Sequence, residues 1–481
     1  MRKNNTLLKI LSAFLAVILA GMMIFALSLD RRTEGPSLSA TGTSTGPTQS
    51  TPTGPTETDP KPTDPKPTDP LPTDPLPTDP LPTDPLPTDP PVYKETTAAI
   101  GAIGDILMHG PVIDTGRTGD GYDFHAIFTE LEPYISALDY AAANMEGTLC
   151  GTKNGYKYGG WPTFNCPDAI AEALKDSGFD LLLTANNHSF DTKKVGLLRT
   201  QEVISGLGLD CTGTVTEAGA DNYLVKEING ISIGMVCWTY NQGFFDDGRI
   251  NFNAIPVTTE DAKLINTFHY GDLDSFYQTL TAQRDGMIAA GAEATVIYIH
   301  WGTEYQLSPN ATQKQIAQQL CDLGFDVIVG GHPHVIQPME LLTSSDGSRK
   351  TVCIYSLGNA VSNQRQGKLS SIKTAHTEDG ALFSVTFAKY SDGTVLVETV
   401  ELLPLWVNMN SNSGKKVYQI VPLDAQTGDW QAAFGLTDSQ LDKAQASYDR
   451  TMELVGQGLA DAQSWYRENQ AQIEAALGVT E

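Results

Sequence analysis

The chain has 481 residues, enough for one large domain with appendages, because single cores rarely exceed about 250 residues before splitting. Its 57 Asp and Glu outnumber 31 Lys and Arg, giving a formal net charge of −26. That balance excludes nucleic acid and anionic lipid as partners met through the protein's own surface charge, since both need a basic patch; an acidic polymer is repelled as well unless a bound cation intervenes.

The N-terminus carries Arg2, Lys3 and Lys9, then no charge from Ile10 to Leu29, then Asp30, Arg31 and Arg32. At about 1.5 Å per residue this stretch makes roughly 30 Å of helix, the thickness of a bilayer's hydrocarbon core. Basic residues ahead of the span orient the N-terminus to the cytoplasm and the remainder outside. Signal peptides have a shorter apolar region, and Ala26-Leu27-Ser28 resembles a cleavage site only loosely. Residues 1–32 therefore read as a cytoplasmic tip and an uncleaved, single-pass signal-anchor transmembrane helix, which places the protein in the cell membrane with its C-terminal domain extracellular.

Residues 33–91 resolve into a period-five repeat, TDPKP and then TDPLP, with almost no hydrophobic content. A disordered, Pro/Thr-rich linker follows: proline fixes φ and removes donors, so the segment is an extended spacer reaching on the order of 150 Å. Such a spacer holds a head away from the membrane.

From residue 92 to 422, apolar runs alternate with helical stretches in the manner of an α/β domain. Buried strands are expected at Ala98 to Ile103, Tyr140 to Ala143, Asp180 to Thr184, Ala294 to Ile299, Asp326 to Val329 and Val352 to Tyr355. Pro167 to Ser177 and Thr312 to Leu323 carry helix start signals and end on Gly178 and Gly324. Asn-Gly and Asp-Gly turns pair Tyr223 to Lys226 with Ile231 to Tyr240, and Leu382 to Tyr390 with Thr394 to Leu405, so the sheets are mixed. Residues 423–481 form a C-terminal helical segment, with amphipathic stretches at Asp438 to Leu454 and Ala460 to Leu477 that pack on the main domain. The six cysteines show no C-x-x-C spacing and read as mostly structural; Cys150 and Cys166 bracket a Gly-rich loop and are candidates for a disulfide.

Polar clusters follow the strands directly, and strand C-termini converge on one edge of an α/β sheet. In order they are Gly104-Asp105; Asn144 and Glu146; Asn186-Asn187-His188 with Asp191; His300-Trp301-Gly302 with Glu304; Gly331-His332-Pro333-His334; and Ser356-Leu357-Gly358-Asn359. A lone histidine after a strand is usually a hydrogen-bonded turn residue. The conjunction is what points to a metal: oxygen and imidazole donors from several strand ends suit one or two divalent cations such as Mn, Zn or Fe, and no thiolate joins them. His109, His125, His269 and His376 have no partner motif and read as surface or packing residues. Trp161, Pro162, Phe164 and Tyr305 fit a cleft beside the metal and the core equally well.

The series GD, NxE, ANNHxxD, HWGxEY, GxHPHVxQ and SLGN, spread from Gly104 to Asn359, resembles the CapA family of poly-γ-glutamate capsule biosynthesis proteins and covers nearly the whole main domain. The resemblance implies a metallophosphoesterase-like sandwich of two mixed sheets flanked by helices. It implies Asp105 and His334 at a first metal, Asn187, His300 and His332 at a second, and Glu146 bridging them. It places His188 as the acid near a leaving group, with Asp191 a second catalytic residue, and Asn144, Asn186, Glu304 and Asn359 around the substrate. Poly-γ-glutamate or another anionic polymer would be the partner, with polyglutamate synthase subunits as further partners. Phosphoesterases of this type usually carry D-x-H in the first motif, where this chain has Leu107, and an aspartate in place of Glu146. The implied functions are a component of capsule synthesis or export, a secreted metal-dependent phosphoesterase, or a non-catalytic assembly scaffold.

Overall fold

Strand β1 (Lys94–Ile106) sets the architecture, because it is buried on both faces and its alternate residues enter different cores. Ala98, Ile100 and Ala102 point to one, Ile103 and Ile106 to the other. The computed structural model describes residues 92–477 except 369, 371, 413 and 414; the anchor and the repeat linker lie outside the described residues.

Parallel to β1 run β2 (Tyr140–Met145), β3 (Leu181–Leu183) and β4 (Asp210–Thr212), joined by helical crossovers that include Ala169–Asp176 and Lys193–Gly206. A hairpin over Asn229-Gly230 then links β5 (Leu224–Ile228) and β6 (Ile231–Asn241). β7 (Ile250–Phe252) and β8 (Ile255–Val257) form a small separate hairpin, and β9 (Thr267–His269) pairs with β6. After helix Leu273–Ala289 come β10 (Ala294–His300), helix Ala311–Leu323, β11 (Val327–Gly331), β12 (Ile336–Thr343) and β13 (Lys350–Leu357). The chain returns to the first sheet with β14 (Asn359–Val361), β15 (Asp379–Tyr390), β16 (Val395–Asn412) and β17 (Lys415–Pro422).

Two mixed sheets result. One has the order β17-β16-β15-β1-β2-β3-β4 with β14 beside β1; the other runs β12-β13-β11-β10-β6-β5 with β9 beside β6. Their inner faces share a core of Ile100, Ala142, Leu181, Met235, Val296, Val329, Ile354 and Phe383 among others. The helices cover the outer faces: Ile170 and Leu174 pack on the first sheet, Phe276, Leu280, Ile316 and Leu320 on the second. Among the described residues no helix is long and apolar enough to cross a membrane.

Two expectations are corrected, and one stretch without a sequence reading gains a strand. The C-terminal helix is a single 40-residue element, Asp438–Leu477, where two amphipathic stretches were expected around Gly456-Gln457-Gly458. It packs on β16 and β12 and inserts Val455, Leu459, Ala462 and Tyr466 into the core between the sheets, so tertiary burial overrides the low helix propensity of glycine. Residues up to Pro422 that carried no sequence signal extend β16 and form β17. All six cysteines are free thiols, and the loop between Cys150 and Cys166 is held by Asn165, whose amide accepts the Cys150 N–H at 2.9 Å and donates to the carbonyls of Gly151 and Lys157.

The helix glycines are separable by experiment. A Cβ on Gly458 would lie 2.1 Å from the Met339 carbonyl oxygen, whereas one on Gly456 meets only the end of Met452 at 3.6 Å. Gly458→Ala is expected to cost about 1–3 kcal/mol through overpacking, and Gly456→Ala to be neutral or to stabilise by up to about 1 kcal/mol. Urea denaturation of both variants checks the pair.

Candidate metal centre

Within each sheet the central strands are parallel, so β1, β2 and β3 end on the same side, as do β10, β11 and β13. The two edges face one another, and the polar clusters fill the space between them. Asp105, Asn144, Glu146, Asn186, Asn187, His188, Asp191, His300, His332, His334 and Asn359 are all buried. Among the described residues, two groups of donors each lie within 4.8 Å: Asp105, Glu146 and His334, and Glu146, His300 and His332.

Glu146 is common to both groups. It is fully buried, yet neither carboxylate oxygen has a hydrogen-bond partner among the described residues. The nearest cationic candidates, His300 Nε2 and His334 Nε2, stand 3.5 and 3.8 Å from Oε1. Burial alone would raise its pKa, but His334 and His300 outweigh it and hold the group below the usual carboxylate range, so it stays charged. A buried anion without hydrogen bonds is costly unless a positive charge completes it. The donor set, two carboxylates and three imidazoles with the Asn187 amide oxygen, is compatible with a divalent cation.

The surrounding amides orient these donors. Asn144 donates to Asp105 Oδ1 at 2.7 Å, and His334 Nδ1 lies 3.1 Å from both Asp105 Oδ2 and Asn359 Oδ1. His300 Nε2 faces Asn187 Oδ1 at 2.8 Å and His332 Nδ1 at 3.2 Å. Burial, with the neighbouring His300 and His334, pushes the His332 pKa well down, leaving a neutral imidazole; Glu146 and Asp105 overcome burial at His334 and raise it to about 9. Both residues adopt positive φ, 97° and 57°, a backbone conformation that side chains other than glycine rarely accept.

His188 stands to one side. Its Nδ1 is 2.8 Å from Asp191 Oδ2, which also accepts the Phe164 N–H at 2.6 Å. Burial disfavours the charged imidazole, yet Asp191, helped by Glu146, raises its pKa. Of the residues expected around substrate, Asn186 is engaged by Asn144, the Met145 carbonyl and the His188 N–H, and Asn359 by His334, Gln364 and the Thr377 carbonyl. Glu304 is exposed. Phe164 is buried and edge-on to both His109 and His188, at 5.2 and 4.6 Å, while Trp161 is 77% exposed.

Three residues here carried no usable sequence signal. His109, expected to be a surface or packing residue, is half-buried against Phe164, where burial and His334 lower its pKa to about 4. Tyr240 places its hydroxyl 3.0 Å from His332 Nε2, and Asn253, in the β7–β8 turn, lies 3.1 Å from His188 Nδ1. Leu107, in the position where D-x-H places a histidine, is buried and offers no donor.

A family described as "Bacterial capsule synthesis protein PGA_cap" matches residues 99–364, more than half of the chain. The chain belongs to this family. All the strand-end clusters fall inside the PGA_cap match. This PGA_cap protein is 28% identical over 313 residues to "PGA biosynthesis protein CapA" of Bacillus subtilis (strain 168), covering 64% of this chain and 73% of that one. Over 323 residues it is 28% identical to "Capsule biosynthesis protein CapA" of Bacillus anthracis, covering 66% and 68%. Solved structures similar to it include a putative 5'-nucleotidase from Staphylococcus aureus in complex with α-ketoglutarate, at 14% identity and TM-score 0.37 over 66% of this chain and 57% of that one. Another is the calcineurin-like phosphoesterase YfkN from Bacillus subtilis, at 13% identity and TM-score 0.34 over 74% and 98%.

Asp191→Asn should lower the His188 pKa, because the carboxylate charge is what overcomes burial. With a raised folded-state pKa, the pair's contribution to stability is complete below the ordinary imidazole value of 6.5 and is lost as pH rises through the raised value. The variant is therefore destabilised more at acidic than at alkaline pH. Titration of the His188 ring resonance by NMR, beside denaturation at both pH values, checks the sign.

Proposed function

We propose that this protein is a cell-surface component of poly-γ-glutamate capsule biosynthesis or export that handles or hydrolyses an anionic polymer at a divalent-metal centre. The observation that carries this is Glu146, a buried carboxylate without hydrogen bonds shared by two sets of donors, in a chain whose relatives are named for capsule biosynthesis. Asp105, Glu146 and His334 would hold one ion; Glu146, His300, His332 and Asn187 would hold a second. Mn, Zn and Fe all suit this donor set. A bound cation supplies charge neutralisation and Lewis-acid polarisation of a phosphoryl or acyl oxygen.

The chain's own residues would then do three things. Asn144, Asn186 and Asn359 fix the donors through the hydrogen bonds described above. Glu304, exposed and close enough to raise the His334 pKa, would stand at the mouth of the site beside bound substrate. His188, oriented by Asp191 at 2.8 Å, would give a proton to the departing group. This last arrangement also favours a second reading, a secreted metal-dependent phosphoesterase, because an imidazole oriented by a carboxylate serves turnover and is unnecessary to a passive scaffold.

Elemental analysis of the full chain and its variants tests the centre. One or two equivalents are expected in the wild type. Glu146→Gln should lose all of them, whereas His332→Ala and His334→Ala should each lose no more than one; metal unchanged by Glu146→Gln would remove the basis of the reading. Mn-dependent hydrolysis of an aryl phosphate would favour the phosphoesterase, and metal-dependent retention of polyglutamate without turnover would favour the assembly role.

We also propose that residues 10–29 anchor the chain and the repeat linker displays the head outside the membrane, near polyglutamate synthase subunits. The motivating features are the uncharged span and the basic residues ahead of it. Protease added to intact cells should release a fragment containing His300 and the other site residues; full protection of the head would reverse the assigned orientation.

A further inference from the structure

We infer that Tyr240 is a positioning residue of the second metal subsite, where its hydroxyl accepts the Nε2 proton of His332 and so leaves the Nδ1 lone pair directed at the cation. The inference rests on the metal-centre reading above and deepens it. An imidazole that ligates through one nitrogen carries its proton on the other, and the group that accepts that proton decides which nitrogen is free. At His332 the two nitrogens have different surroundings. Nδ1 lies 3.2 Å from His300 Nε2, which itself stands 3.5 Å from Glu146 Oε1 and 2.8 Å from Asn187 Oδ1, so Nδ1 is on the side where the donors converge. Nε2 points away from them, to the Tyr240 hydroxyl at 3.0 Å.

The phenol is itself held. Tyr240 is the penultimate residue of β6, whose Thr239 pairs with His300 of β10, so the tyrosine and the histidine ligand share one sheet register. Its ring meets the His332 ring at 4.8 Å and 61° and stacks on Tyr270 at 5.6 Å and 29°. The Tyr270 hydroxyl accepts the Gly302 N–H at 2.8 Å, two residues beyond His300. The Gln242 side-chain oxygen accepts the Asn253 backbone N–H at 2.7 Å, in the turn that reaches His188. The positive φ of His332 supplies a reason for the support: a ring carried on strained backbone needs a contact on its outer side to keep its angle.

The test uses the full chain loaded with cadmium-113 and labelled with nitrogen-15 at histidine, beside Tyr240→Phe. In the wild type, cadmium coupling is expected at Nδ1 of His332, assigned as the signal absent from a folded His332→Ala protein; coupling at Nε2 overturns the inference. Tyr240→Phe should bind the second equivalent about 10–100-fold more weakly in a chelator competition while keeping the first, the loss typical of removing a group behind a metal ligand. Wild-type affinity for both equivalents in a folded Tyr240→Phe protein overturns the positioning role and leaves the metal centre standing. A wild type that binds no cadmium, zinc or manganese overturns both.

Discussion

The structure turns on one electrostatic constraint: Asp105 and Glu146 are carboxylates placed where water does not reach, between two sheets that also bury three imidazoles. Asp105 is satisfied locally, by Asn144 and by His334. Glu146 is not, and its charge is held by histidines a little beyond hydrogen-bond distance. A fold selected only for stability would replace such a group with an apolar side chain, since buried ion clusters rarely outperform well-packed hydrocarbon. Its retention, at the point where two sets of donors overlap, is the physical reason to place a cation there.

Bringing those donors together imposes demands on the backbone of both sheets. Asp105 and His332 belong to different sheets, and the residues before them must let the strands close in. A Cβ on Gly104 would lie 2.1 Å from the Gly358 carbonyl oxygen, and one on Gly330 would lie 2.0 Å from that of Tyr355. Past these contacts the chain bends sharply, with His332 and His334 at positive φ. Strain at these histidines is offset by the extensive core between the sheets, which the long C-terminal helix closes on one side through Val455, Leu459 and Tyr466. The scaffold and the site are thus coupled: the helix that seemed peripheral in sequence seals the core that fixes the ligand loops.

The central strands were legible because they are buried on both faces and read as continuous apolar runs, and the polar clusters were legible because each begins where such a run stops. What escaped the sequence was of another kind. β17 and the end of β16 mix apolar with Asn, Gln and Lys, a pattern that does not separate strand from loop. The continuity of Asp438–Leu477 rests on the burial of Val455, Leu459, Ala462 and Tyr466 between the sheets, long-range packing with no local trace. Tyr240 and Asn253 reach His332 and His188 across 92 and 65 residues, and an ordinary tyrosine at a strand end announces nothing. His109 lay close to the first motif, but only the packing of Phe164 shows that it belongs beside His188.

The charge of the protein gives the site its sense. With 57 acidic and 31 basic residues, the chain repels a polyanion over most approaches, and attraction has to be local. Asp105 and Glu146 are both buried in the centre, and these two carboxylates give a polyanion no attraction of their own. A divalent cation would reverse that at one place, within a narrow space and at low local dielectric, where its charge would act strongly over a few ångströms and weakly beyond a Debye length of about 8 Å. Recognition of an acidic polymer would then depend on the occupancy of the centre and little on the surface, which makes a repulsive exterior compatible with a specific anionic partner.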